Sequence, residues 1–280
     1  MLSRRTLLIS CWATLAAHPL TAMAAPKPEL WPRWQAQDPN SSLRVDHTGW
    51  TAFLDRHVSE NPDGVNRLAY GRVGASEKAA LDGYVASLAA TPVTKLSRAE
   101  QRAFWINLYN ALTVKTVIGA YPVKSIRDIK ISPGLFSSGP WGKKLVRIEG
   151  EEISLDDIEH RILRPIWKDP RTHYAVNCAS IGCPNLLREA FTPANMNALL
   201  DAGARAYVNH PRGAEIKDGK LITSSIYVWF QDDFGGGEAG VIAHLRRYAG
   251  PEFASALNGV ASIASDRYDW SLNDAGASRG

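Results

Sequence analysis

From Ser97 to Tyr121 the chain reads SRAEQRAFWINLYNALTVKTVIGAY, and no other run limits the possible folds as much. Its spacing predicts a helix from Arg98 to about Gly119, opened by Ser97 and Glu100 as a capping box that satisfies free amide donors in the first turn. The apolar residues Phe104, Trp105, Leu108, Ala111, Leu112, Val114, Val117 and Ile118 cover most of the circumference, as expected of a helix packed on several sides. Asn107, Asn110 and Val114 share one stripe, so two amides face the same neighbour. Asparagine is a poor interior helix former because its side chain competes for backbone partners, and two on one face imply a hydrogen-bonding task. They either tie down a neighbouring loop or serve a reaction.

Around this helix the pattern alternates between helical spacing and short strands. Thr48 to Ser59 carries Trp50, Phe53, Leu54 and Val58 at helical spacing, and the Asn61-Pro62-Asp63-Gly64 turn follows. Val65 to Val73 is expected as a short strand and Ser76 to Leu88 as a second amphipathic helix. Pro133 to Trp141 is a loop, and Lys144 to Ile153 a strand and turn. SLDDIEHRILR is a short helix that Arg164-Pro165 ends, with Glu159 and His160 facing different directions. Thr172 to Asn177 is expected as a buried strand, and Thr192 caps a long helix that runs from Pro193 to Asn209. Asp218-Gly219 marks a hairpin, and a helix follows from Glu238 to Tyr248. The expected class is α+β, a single helix-rich domain around a small, mainly antiparallel sheet. Residues 47–274 form that domain, 25–46 an irregular strap over its surface, and 275–280 a disordered tail.

The first 24 residues carry Arg4 and Arg5, an apolar run from Leu7 to Ala17 and small residues at Ala22 and Ala24, the pattern of a twin-arginine signal peptide. A lipoprotein-like box at Cys11 is the rival reading, and it leaves too short an apolar region before the cut. The apolar run falls short of the roughly 20 residues a spanning helix needs. The expected product is therefore a soluble periplasmic or secreted chain without a transmembrane segment. With the leader gone, the 32 Lys and Arg lose Arg4 and Arg5 and stand against 28 Asp and Glu, with no basic stripe. That balance argues against nucleic acid as a partner and leaves a small molecule or peptide. Gly235-Gly236-Gly237 follows no expected strand and matches no phosphate fingerprint, so no cofactor is implied.

Four segments occur in one order: FWINLYNAL, SLDDIEHRILR, DPRTHYAVNCASIGCPNL and the closing YDWSLND. Together they resemble the family known as domain of unknown function 547, over a stretch from the first helix to Asp274. The resemblance implies a common fold unit and assigns no catalytic residue. A helix followed by a strand-borne histidine is also similar to the papain and transglutaminase-like fold, where the helix carries the nucleophile. Here the helix carries Asn107 and Asn110 and no cysteine.

The run His173 to Asn185 gathers both cysteines outside the leader, a histidine and two asparagines. It supports three readings. In a thiol-dependent hydrolase or acyl transferase, Cys178 is the nucleophile, a histidine keeps it ionised, and Asn107, Asn110 or Asn177 orients the ring or the developing oxyanion. His173 is the first choice of base, yet on a strand it points away from Cys178, so His160 is the alternative. In the second reading a structural Cys178–Cys183 disulfide staples a non-catalytic binding domain, with Ser180 satisfying the loop. In the third, His173, Cys178 and Cys183 hold zinc, with His160 or water completing the set. Trp229 is a further candidate for lining the site. His47, His57, His210 and His244 are expected as surface or packing residues.

Overall fold

The structure is a computed structural model that describes residues 26–134 and 138–276. The expected leader and the last four residues of the expected tail lie outside the described residues, as do 135–137 in the loop before Trp141. No helix among the described residues is long and apolar enough to cross a membrane.

Among the described residues, eight α-helices and seven short strands make a helix-rich α+β fold. α1 (Thr48–His57), α2 (Ala75–Ala89) and α3 (Arg98–Ala120) pack together, with the small pairs β1 (Val58–Ser59) with β2 (Arg67–Leu68) and β3 (Val146–Ile148) with β4 (Glu151–Ile153) at their margins. α3 is the centre of the larger hydrophobic core, and every residue from Glu100 to Val114 is buried. Ser97 caps it as expected, accepting from the Glu100 amide at 3.4 Å. Glu100 does not complete the box. Its carboxylate turns to the preceding segment, where it accepts from the Val45 amide at 3.4 Å and meets Arg44 at 3.3 Å.

A second, smaller core lies between α5 (Met196–Val208), α6 (Ser225–Trp229) and α7 (Gly237–Tyr248), beside the sheet of β5 (Ala214–Lys217), β6 (Lys220–Ser224) and β7 (Ser265–Arg267). β5 and β6 form the hairpin expected at Asp218-Gly219, and β7 joins β6 in parallel. α8 (Pro251–Ala256) closes the outside of this half. The sheet expected as one unit is thus divided into three, two of them only paired strands. Met196 rather than Pro193 starts α5, because the Thr192 amide donates to Asn195 Oδ1 at 2.7 Å and holds the first residues in a separate turn. Tyr70 to Arg72 continues β2 as a 3-10 turn, so the expected strand there is shorter.

Two departures shape the region between the cores. Thr172 to Asn177 is not a strand: Pro170–Tyr174 is a 3-10 helix, begun by Asp169, whose carboxylate accepts from the Arg171 amide at 2.9 Å. Proline fixes a φ suited to a first turn, and Asp169 supplies the cap that outweighs the β-branched and aromatic content of the run. The helix of SLDDIEHRILR is a π-helix over Asp157–Leu163 that passes into α4 (Arg164–Trp167), so Pro165 sits inside the first turn of a short helix instead of ending one. The wider π turn leaves the carbonyls of His160 and Arg161 free to accept from the amides of Glu29 and Trp31, each at 3.0 Å. Residues 26–46 are thereby fastened across the domain. Trp34, 1% exposed, stands edge-on to Trp105 with ring centroids 5.1 Å apart.

Trp34 links this segment to α3, so its removal leaves a cavity against the central helix. Trp34→Ala is expected to lower unfolding stability by about 3–5 kcal/mol, measured by urea denaturation with the m-value unchanged.

Candidate functional site

The segment after the 3-10 helix is held by the two amides of α3. Asn110 donates to the Ala175 carbonyl at 2.9 Å and accepts from the Asn177 amide at 2.9 Å, spanning the approach to Cys178. Asn107 does the same for Phe191, donating to its carbonyl at 2.7 Å and accepting from its amide at 3.0 Å. Each side chain makes one donated and one accepted bond to the backbone, so both asparagines fix the chain that they face. Asn177 continues the pattern: its oxygen accepts from the Ala179 amide at 2.8 Å, and its amide donates to the Pro184 carbonyl at 2.7 Å. This Asx turn holds Ala179 at φ 58°, in the left-handed region, and reverses the chain behind Cys178.

From the other side the loop is bonded to the closing segment. Ile181 and Gly182 donate to the carbonyls of Ser271 and Asp269, each at 2.8 Å, and Asn273 donates to the Ala179 carbonyl at 3.2 Å. A Cβ on Gly182 would lie 2.8 Å from the Asp269 amide nitrogen, so the approach requires glycine there.

Cys178 is half-buried and Cys183 is 4% exposed; both thiols are free. Cys178 Sγ lies 2.9 Å from the Tyr268 hydroxyl and 3.2 Å from Ser180 Oγ, and the two hydroxyls are 2.8 Å apart. The Cys178 amide donates to Cys183 Sγ at 3.0 Å. Hydrogen bonding from Cys183 holds the Cys178 thiol below its usual value against the opposing effect of burial, helped by Ser180 and Tyr268. Burial pushes the Cys183 thiol well up, and its bond to Cys178 adds to this.

His173 stands apart from this triangle. Its Nε2 donates to Asp233 at 2.7 Å, while its Nδ1 faces Glu159 at 3.8 Å, and no hydrogen bond among the described residues joins it to Cys178. Arg164 completes the group, donating to Asp233 at 2.5 Å and to His160 Nδ1 at 3.0 Å. The Tyr109 hydroxyl donates to Glu159 at 3.1 Å. The π-helix therefore brings Glu159 and His160 to one buried cluster, where the sequence spacing had set them apart. Burial lowers the His160 pKa and outweighs the pull of Glu159. His160 consequently stays a neutral acceptor for Arg164, and it too lacks a bond to Cys178.

Successive residues at the end of α6 serve the two groups. Phe230 stacks on His173, with ring centroids 4.3 Å apart. Trp229, half-buried, packs 5.0 Å from Tyr268 and 5.7 Å from Trp270, and Trp141 meets Trp270 at 5.7 Å. A cleft of about 620 Å³ opens beside these rings, lined by Tyr268, Trp270, Gly182, Lys124, Arg212 and Arg267 among others. Tyr268 and Trp270 complete the thiol environment and were not singled out in the sequence. Their only signal is proximity of YDW to the end of a segment already matched by resemblance.

No group of three His, Cys, Asp or Glu side chains among the described residues could hold a metal ion. His173 faces Asp233, and the cysteines face Tyr268 and Val176, so the three residues of the zinc reading are divided between two environments. The other histidines are packing residues with partners: His47 with Tyr84, His57 with Glu77, His210 with the Asp63 carbonyl and His244 with Tyr174.

Residues 93–208 match the family model described as protein of unknown function, DUF547. The match contains α3, the π-helix and both cysteines, and it stops short of Trp229, Tyr268 and Trp270. It is thus shorter than the resemblance, which reached Asp274. No curated protein and no solved structure matches the chain.

Asp233 makes the histidine cluster measurable. Burial raises its pKa, but the bonds from His173 and Arg164 outweigh that and hold the carboxyl at about 2. An acid depressed in the folded state stabilises it above the unfolded value near 4, and this contribution disappears as pH falls from about 4 through 2. Asp233→Asn is expected to be less stable than the parent at pH 6. The pH-dependent part of the difference, about 2 kcal/mol, should vanish over that window in denaturation curves taken at successive pH values.

Proposed function

We propose that this protein is a thiol-dependent acyl transferase or hydrolase whose nucleophile is Cys178. The observation that carries the reading is the sulfur of the half-buried Cys178 with two hydroxyls, Tyr268 and Ser180, at 2.9 and 3.2 Å, the first of which lines a cleft together with Trp270. The thiolate is the reactive form of cysteine, and hydrogen-bond donors directed at sulfur favour it without a paired imidazole. In the step proposed, Cys178 Sγ adds to the acyl carbon, the bond to the leaving group breaks, and water or a second nucleophile later takes the acyl group from sulfur. His173 and His160 are committed to carboxylate and guanidinium partners, so neither is placed to protonate the leaving group. An amide nitrogen needs such an acid near neutral pH, whereas a thiolate or activated alkoxide leaves without one. Thioesters and activated esters are therefore the acyl donors that suit the site.

A second, non-catalytic reading is favoured by the rings of Trp229, Tyr268, Trp270 and Trp141, which together offer a surface for a small molecule or peptide. Acylation separates the two. With p-nitrophenyl acetate and with an acyl thioester as probes, the catalytic reading expects a burst of one leaving group per chain and an acetyl adduct mapped to Cys178 by mass spectrometry. Cys178→Ala should lose both. Retained burst in that variant, or no adduct on Cys178 in the parent, leaves the binding reading. Tyr268→Phe removes one donor to sulfur and is expected to slow alkylation of Cys178 by iodoacetamide at pH 7 by about tenfold, with less effect above pH 9.

A further inference from the structure

The acyl reading uses Cys178 and leaves Cys183 without a chemical task. Yet Cys183 is the nearest thiol to the nucleophile, and the loop that carries both is fixed at each end. Asn110 and Asn177 hold the side before Cys178, the Ser271 and Asp269 carbonyls hold Ile181 and Gly182, and the Cys183 amide donates to the Ser180 carbonyl at 3.1 Å. Within that frame the Cys178 amide donates to Cys183 Sγ at 3.0 Å. Cys178 is half-buried behind Tyr268, which lines the cleft, while Cys183 is buried with the Val176 carbonyl at 3.8 Å as its own acceptor.

We propose that Cys178 and Cys183 form a redox-active dithiol that exchanges with a peptide-borne disulfide, Cys178 as the attacking sulfur and Cys183 as the resolving one. The Cys178 thiolate attacks one sulfur of the substrate disulfide, and the other substrate sulfur leaves as a thiolate that takes a proton from solvent. Cys183 then gives up its proton, and its sulfur attacks Cys178 Sγ in the mixed disulfide. The second substrate thiol departs, and the substrate has gained two electrons. The chain is left with a Cys178–Cys183 disulfide, which an external thiol or dithiol reduces in the same steps reversed. The opposite hydrogen-bonding effects on the two thiols agree with this division of labour, since the attacking group must be ionised and the buried one must wait. Arg212 and Lys124 at the cleft, together with the rings of Tyr268 and Trp270, suit a peptide with apolar and carboxylate groups flanking its disulfide.

This inference rests on the Cys178 thiolate of the acyl reading, and its test is chosen to fail separately. The full chain is equilibrated with graded ratios of reduced and oxidised glutathione, quenched with N-ethylmaleimide and mapped by peptide mass, so that Cys11 is assigned by itself. The expected result is joint loss of Cys178 and Cys183 as one reversible Cys178–Cys183 disulfide. Cys183→Ser and Cys183→Ala should each stop at a glutathione adduct on Cys178, which persists under excess reduced glutathione about tenfold longer than any adduct of the parent. In Cys178→Ser, Cys183 should stay unmodified. Independent glutathione adducts on both cysteines of the parent would overturn the proposal. So would a Cys178–Cys183 bond that glutathione cannot open, which is the mark of a structural staple. Exchange without acylation leaves this inference standing alone, and acylation without exchange leaves only the acyl reading.

Discussion

An amide buried on a helix packed from all sides must find backbone partners or unfold the helix that carries it. Asn110 meets that requirement with two bonds to one neighbour, the Ala175 carbonyl and the Asn177 amide, and the cysteine loop takes its position from them. Asn107 repeats the device at Phe191, at the far end of the same segment. Removing either amide would strand two buried backbone groups, each costing about 1–3 kcal/mol. The loop is therefore bonded to the helix at both ends, although it contains almost no regular structure.

Two polar groups grow from this frame, and they share a wall without sharing a bond. On one side Cys178, Ser180 and Tyr268 form a triangle at the aromatic cleft. On the other, His173, Asp233, Arg164, His160 and Glu159 form a buried charged cluster. Trp229 and Phe230, adjacent in the chain, face one group each. The division gives the Cys178 sulfur two hydroxyls and a second thiol as neighbours, with the imidazoles of His173 and His160 bonded elsewhere. It also gives His173 a supporting task, as a ring held between the carboxylates of Asp233 and Glu159 and stacked on Phe230.

Much of the framework was legible in the residue pattern because it depends on local rules. The extent of α3, the helices at 48–57 and 75–89 and the hairpin at Asp218-Gly219 follow from periodicity, capping and turn chemistry. The stripe of Asn107 and Asn110 left open a loop-tethering or a catalytic role, and the bonds found are backbone tethers. The local rules gave way where a cap or a tertiary contact opposed them. Asp169-Pro170 turned an apparent strand into a 3-10 helix, and with it the face argument for His173 lost its basis. Glu100 left its own helix to hold Val45, and the π-helix set Glu159 and His160 toward a common cluster.

What the sequence determined by itself was the central helix and the α+β class, since each depends on spacing within about twenty residues. Only the tertiary structure decided the partners: Tyr268 for Cys178, 90 positions away, Asp233 for His173, 60 positions away, and Tyr268 and Trp270 for the cleft. No periodicity links positions so distant, and which hydroxyl or carboxylate reaches a given sulfur or ring is set by how two separate cores pack on either side of one loop.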